Sequence, residues 1–219
     1  MRRLSRIVGM PWPPDPTLQW AKDFMRFYRP LGFFVEEWPH LPDEAAEELF
    51  ARWVAEYGPK VKMDHVHWDP WFLLYDKQRV FFADVECDAL PGNTAYVDYT
   101  RGLARISQGN FLPQDIREDW NEDVNPPTVL VTLRLGDERH EVELEGRGDY
   151  INSGLIEWVD RIVRSTTGRF WNWDLPGEQC HWIVFMGDDY AERIFEARSL
   201  KLERVTMGAS RHHDRERGA

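Results

Sequence analysis

Apolar positions recur with a helical period at both ends of this chain and with a two-residue period in its middle. Leu18, Ala21, Phe24, Met25 and Tyr28 follow at helical spacing, with Asp15 placed to cap and Pro16 at the first helical position. Pro30 and Gly32 stop that run. A second helix begins at Asp43 or the turn before it and carries Ala46, Leu49, Phe50, Trp53, Val54 and Tyr57 on one side. Glu44, Glu47, Glu48 and Glu56 lie mainly on the other, and Gly58-Pro59 ends it.

From Trp71 the period shortens. Trp71–Asp76 and Arg79–Cys87 flank Asp76-Lys77-Gln78 and read as a hairpin, and Thr94–Tyr99 alternates like a third strand. Residues 100–110 are expected to extend that sheet, with Gly102 and Gly109 weighing against it. Phe111–Asn125 is polar and irregular, with at most one helical turn at Pro113–Trp120.

The most legible unit follows Pro126-Pro127. It comprises an apolar strand Thr128–Leu135, a Gly136–Asp137 turn and a charged, alternating strand Glu138–Glu145. An amphipathic helix over Ile151–Ser165 and a strand Arg169–Trp173 complete it. A strand His181–Met186 comes next, then a helix capped by Asp188 or Asp189 and carrying Tyr190, Ala191, Ile194 and Phe195.

Helix and strand do not alternate regularly, so the order predicts an α+β fold with mainly antiparallel sheet. Two N-terminal helices precede the sheet, and a hairpin–helix–strand–strand–helix unit ends it. Residues 1–14 read as an extended segment, 15–207 as a single domain, and 208–219 as a disordered tail. If the domain divides into two lobes, 111–127 is the candidate boundary.

Charge sharpens this picture. The formal net charge is −11, and residues 111–160 hold thirteen Asp/Glu against four Lys/Arg. Nucleic acid, which demands concentrated positive charge, is not an expected partner. A basic protein surface suits better. Two cysteines, Cys87 and Cys180, make no disulfide framework. No apolar run has the length of a signal peptide or approaches the about 20 residues of a membrane span. The expected setting is cytoplasmic, away from membranes.

The sharpest local motif is Asp64-His65-Val66-His67-Trp68-Asp69-Pro70. In an extended segment His65 and His67 point the same way and suit one divalent metal ion, with Asp69 as oxygen ligand or orienting group. Such an ion would activate water for hydrolysis. The run superficially resembles the His-x-His-x-Asp segment of metallo-β-lactamase-type hydrolases. However, Pro70 stands where a further histidine is expected, and Lys60–Met63 replaces the usual apolar strand. A polar linker holding two histidines is the simpler reading. Any further ligand would come from His40, His140 (expected to face solvent) or His181.

Cys180-His181 brings a thiol beside an imidazole, but neighbours on a strand face opposite ways and cannot serve each other as nucleophile and base. No phosphate-binding loop, Gly-x-Ser-x-Gly elbow, His-Glu-x-x-His helix or paired Cys-x-x-Cys motif occurs. No catalytic residue is therefore assigned, and no cofactor beyond the metal of that alternative.

Eleven tryptophans are many for this length, and their excess suits a contact surface as well as a core. The sequence thus points to a non-catalytic acidic protein-binding module, one version being an immunity-type inhibitor of a basic toxin or enzyme. Its expected contact residues are Glu118, Asp119, Trp120, Glu122, Asp123, Trp171 and Trp173. A metal-dependent hydrolase centred on His65, His67 and Asp69 is the alternative. A structural subunit of a larger assembly, with homo-oligomer formation open, is the third reading.

Overall fold

Thr17 starts the first helix, its hydroxyl accepting the Trp20 N–H at 3.1 Å. The cap expected at Asp15-Pro16 lies outside the residues described by this computed structural model, which are 17–58, 68–163, 167–173 and 180–205. The expected extended segment 1–14 and tail 208–219 also lie outside them. The chain divides into two compact units, Met1–Asp76 and Lys77–Ala219. Residues 111–127, the candidate lobe boundary, fall inside the second.

The first unit holds α1 (Leu18–Tyr28), a 3-10 turn (Arg29–Leu31), α2 (Pro42–Tyr57) and α3 (Asp69–Leu73). Gly58, at φ 84°, closes α2 by donating its N–H to the Val54 carbonyl. Its interior is aromatic: Phe72 stacks on Trp53 at 4.7 Å, and Phe24 touches Tyr28, Phe34 and Phe72. The strand expected over Trp71–Asp76 is instead α3 followed by a turn. Pro70 presets helical φ in the first turn of α3, and Phe72 and Leu73 point into the core. Buried Asp76 accepts the N–H of Phe34 at 2.7 Å, securing a non-glycine residue at φ 60°.

The second unit holds β1 (Val80–Asp84), α4 (Ala95–Ile106), β2 (Gln114–Asn121), β3 (Thr128–Leu135) and β4 (Glu138–Glu145). It continues with α5 (Gly154–Val163), β5 (Arg169–Trp173), β6 (Cys180–Met186), α6 (Asp188–Arg198) and β7 (Leu202–Arg204). The strands form two antiparallel sheets, ordered β1-β6-β5-β7 and β2-β3-β4. Helix α4 packs on β1 and β6 of one sheet and on β2 of the other, while α5 packs on β4 and β5. One core results, with Phe170, Ile183 and Phe185 from the first sheet and Val129, Val131 and Leu133 from the second. Tyr99, Leu103, Leu155 and Val159 fill it from the helices.

The α+β class and the hairpin–helix–strand–strand–helix unit stand as expected. The middle of the chain is corrected. Thr94–Tyr99 and residues beyond it are not strand but α4, which buries Tyr96, Val97, Tyr99, Thr100, Leu103 and Ile106 and exposes Asp98, Arg101 and Arg105 at helical spacing. Val80–Asp84 pairs with β6, a partner about a hundred residues on, and not with Trp71–Asp76. The irregular stretch Phe111–Asn125 contains β2. Gly187, not Asp188 or Asp189, is the N-cap of α6; both acids sit in its first turn, where the helix dipole favours them. Among the described residues no helix is long and apolar enough to cross a membrane.

Candidate functional site

Alternation along β2, β3 and β4 gives their sheet one face on the core and one on solvent. Ile116, Glu118 and Trp120 point inward beside Val129, Val131 and Leu133, and Val142 and Leu144 complete that side. The register then assembles the outer face in rows across the three strands. Gln114, Arg134 and Arg139 form the row nearest the hairpin turn, followed by Arg117, Thr132 and Glu141. Asp119, Leu130 and Glu143 make the third row, and Asn121, Thr128 and Glu145 the last.

The face is therefore polarised. Arginines gather at the hairpin end, where Arg134 reaches Asp115 at 3.3 Å and Arg139 reaches Glu141 at 3.3 Å. Asp119, Glu143 and Glu145 gather at the opposite end, all exposed, next to exposed Glu122 and Asp123 in the connection from β2 to β3. Among the described residues no cation pairs with Asp119, Glu143 or Glu145; Glu143 accepts the Thr128 hydroxyl at 2.9 Å. Half-buried Leu130 lies at the centre of this acidic end.

Of the expected contact residues, Asp119, Glu122 and Asp123 lie at this end. Glu118 and Trp120 do not. Glu118 accepts the Val97 backbone N–H at 3.0 Å, filling a free donor in the first turn of α4, and it also takes the Trp120 indole N–H at 3.2 Å. Trp120 lies against Tyr96 and Gly146 on the inner side. Trp171 and Trp173 belong to the other sheet. They share the side of β5 away from Phe170, as the alternation predicts, but Trp173 is 1% exposed and the Trp171 indole donates to the Met186 carbonyl at 3.2 Å. The acidic and tryptophan groups are thus separate. Glu143 and Glu145 join the acidic end unannounced, although their two-residue spacing in the hairpin was the available signal.

The motif residues His65 and His67 lie outside the described residues. Asp69 is buried in the first turn of α3, where its carboxylate accepts the Tyr28 hydroxyl at 2.8 Å. Among the described residues no group of three His, Cys, Asp or Glu side chains is arranged to hold a metal ion. His140 does not face solvent as expected: it points to the inner side opposite Leu133, with its side chain 18% exposed, and stands 3.6 Å from Glu138.

His181 has a different partner. It shares a hydrogen bond with the Tyr99 hydroxyl at 2.5 Å through Nδ1, across the contact between β6 and α4. Burial pushes the Tyr99 phenol well above its ordinary range and lowers the His181 imidazole to about 4, so both are neutral at pH 7. This pair is a closed core contact. Cys180, opposite Asp84 in the register, points the other way, and the half-buried Cys87 thiol is pushed up by burial and by Asp84. The chain matches no family model, and comparison with curated proteins and with solved structures likewise finds no match.

Proposed function

We propose that this chain is a non-catalytic protein-binding module that engages a basic protein surface through the acidic end of its outer sheet face. The observation that carries this reading is the row Asp119–Leu130–Glu143, flanked by Glu141 and Glu145. It sets exposed carboxylates around one partly apolar centre on a three-stranded sheet. Concentrated charge of one sign steers an oppositely charged partner, and a small apolar centre gives the contact something to desolvate. An inhibitor that occludes a basic toxin or enzyme is one form of this role. A reducing cytoplasmic setting suits Cys87 and Cys180, neither of which is in a disulfide.

The test compares partner capture by the full chain with capture by the charge-reversed Glu141→Lys/Glu143→Lys/Glu145→Lys variant, at low and high salt. The reading expects a defined basic protein to be captured by the former, released by salt and not captured by the latter. Capture that survives charge reversal sinks it.

A further inference from the structure

The hairpin register shows which backbone groups of β4 are already paired. Gly146 donates its N–H to the Pro127 carbonyl at 2.8 Å, so Gly146 occupies a position that bonds towards β3, with a single bond because proline has no N–H. Stepping back by two residues from Gly146, Leu144, Val142, His140 and Glu138 turn their N–H and C=O groups towards β3. The intervening residues Arg139, Glu141, Glu143 and Glu145 therefore turn theirs away from the sheet. The Glu145 carbonyl is already taken, by the Asn152 side-chain amide at 2.9 Å. Those of Arg139, Glu141 and Glu143 face the open edge, and all three residues are exposed.

The two outer edges of this sheet differ. On β2 the register slips between Gln114 and Arg117, and Asp115 sits at φ 52°, which breaks the regular row of backbone groups. β4 pairs without interruption over all eight of its residues. It is an unbulged edge that carries charged side chains. That charge selects: glutamates repel an acidic strand and attract one that carries lysine or arginine.

We infer that β4 is the docking edge for an extended basic segment, which adds to the sheet as a fourth strand beside Arg139–Glu143. The added strand takes main-chain hydrogen bonds from the outward groups of Arg139, Glu141 and Glu143. It places basic side chains at alternate positions, about 6.8 Å apart, next to Glu141 and Glu143. Its intervening side chains lie beside partly buried Val142 on the inner side and are apolar. This inference rests on the acidic-face reading above and specifies how the partner binds.

The probe is a fluorescent peptide of alternating lysine and valine, titrated into the full chain and followed by anisotropy. A second peptide of the same sequence is N-methylated on alternate residues along its bonding edge, which keeps charge and removes the donors. The inference expects the first to bind about tenfold or more tightly than the second. It also expects Glu143→Pro to weaken binding of the first peptide, because this substitution removes an outward N–H that β3 does not use. Proline can disturb the sheet as well, so the methylated peptide tests the same point on the unaltered protein. Equal binding of both peptides, lost on reversing Glu141 and Glu143, overturns strand addition while keeping the acidic-face reading. Binding of both that is indifferent to charge reversal overturns the two together. Failure of the unmethylated peptide to bind at low salt, or a dimer of the chain that excludes it, overturns strand addition alone.

Discussion

The Glu118 carboxylate accepts the backbone N–H of Val97, twenty-one residues earlier, and so caps α4 from a neighbouring strand. The residue that composition marks as part of a binding surface is spent on folding. Glu118→Ala is expected to destabilise the chain by about 1–2 kcal/mol, as loss of a helix cap does elsewhere, and Glu118→Gln by less because an oxygen acceptor remains. Urea unfolding measures both. Neither substitution should weaken partner binding beyond its effect on folding, in contrast to Asp119 or Glu143.

Acid should weaken the second unit through His181. Its folded value of about 4 lies below the about 6.5 of an unfolded chain, so the unfolded state takes up the proton first. The stabilising difference is fully present above pH 6.5 and is lost as pH falls towards 4, on the order of 3 kcal/mol in all. Unfolding midpoints measured from pH 7 to pH 4 should fall more steeply for the natural chain than for His181→Gln. Equal slopes would contradict this account of the Tyr99–His181 pair.

Gly102 lies on α4 against the Phe81 ring, so closely that an added Cβ would overlap the ring. Helix propensity alone favours Gly102→Ala, by up to about 1 kcal/mol. Overpacking should win, costing about 1–3 kcal/mol, and Phe81→Leu in the same chain should restore part of the loss. Thermal unfolding of the two variants decides which effect is larger.

The helix–strand confusion over 94–110 has this same origin. Tyr96, Tyr99, Leu103 and Ile106 recur at helical spacing, but Val97, Thr100 and Gly102 are buried too, because α4 packs on both sheets. The polar stripe of α4, Asp98, Arg101 and Arg105, is narrow, and the aromatic and β-branched residues over Thr94–Tyr99 mimic a strand. β2 hides for the opposite reason. Its inner side is Ile116, Glu118 and Trp120, and a charged residue in the middle of that trio breaks the apolar alternation. Where one element has one buried face, as in the hairpin Thr128–Glu145 and in α1, the pattern in the chain and the structure agree. The acidic segment was legible as charge; which acids share a face depends on register, and only the pairing of β2 with β3 and β4 reveals it.

Asp69 is expected to act in folding. Asp69→Ala removes the acceptor of the Tyr28 hydroxyl and should cost about 1–3 kcal/mol in unfolding experiments. Metal content per chain, measured by elemental mass spectrometry, should be the same for Asp69→Ala and the natural sequence. A stoichiometric metal lost with Asp69 would instead favour the hydrolase reading.

The acidic face is tested most directly at its centre. A photo-crosslinking amino acid in place of Leu130, activated in the native cell, should capture one defined protein through a segment rich in lysine or arginine. The crosslink should disappear when Glu141, Glu143 and Glu145 are reversed to lysine, and a crosslinker placed at exposed Tyr57 should not capture that protein. A Leu130 crosslink that persists after charge reversal, or none at all, would contradict the account.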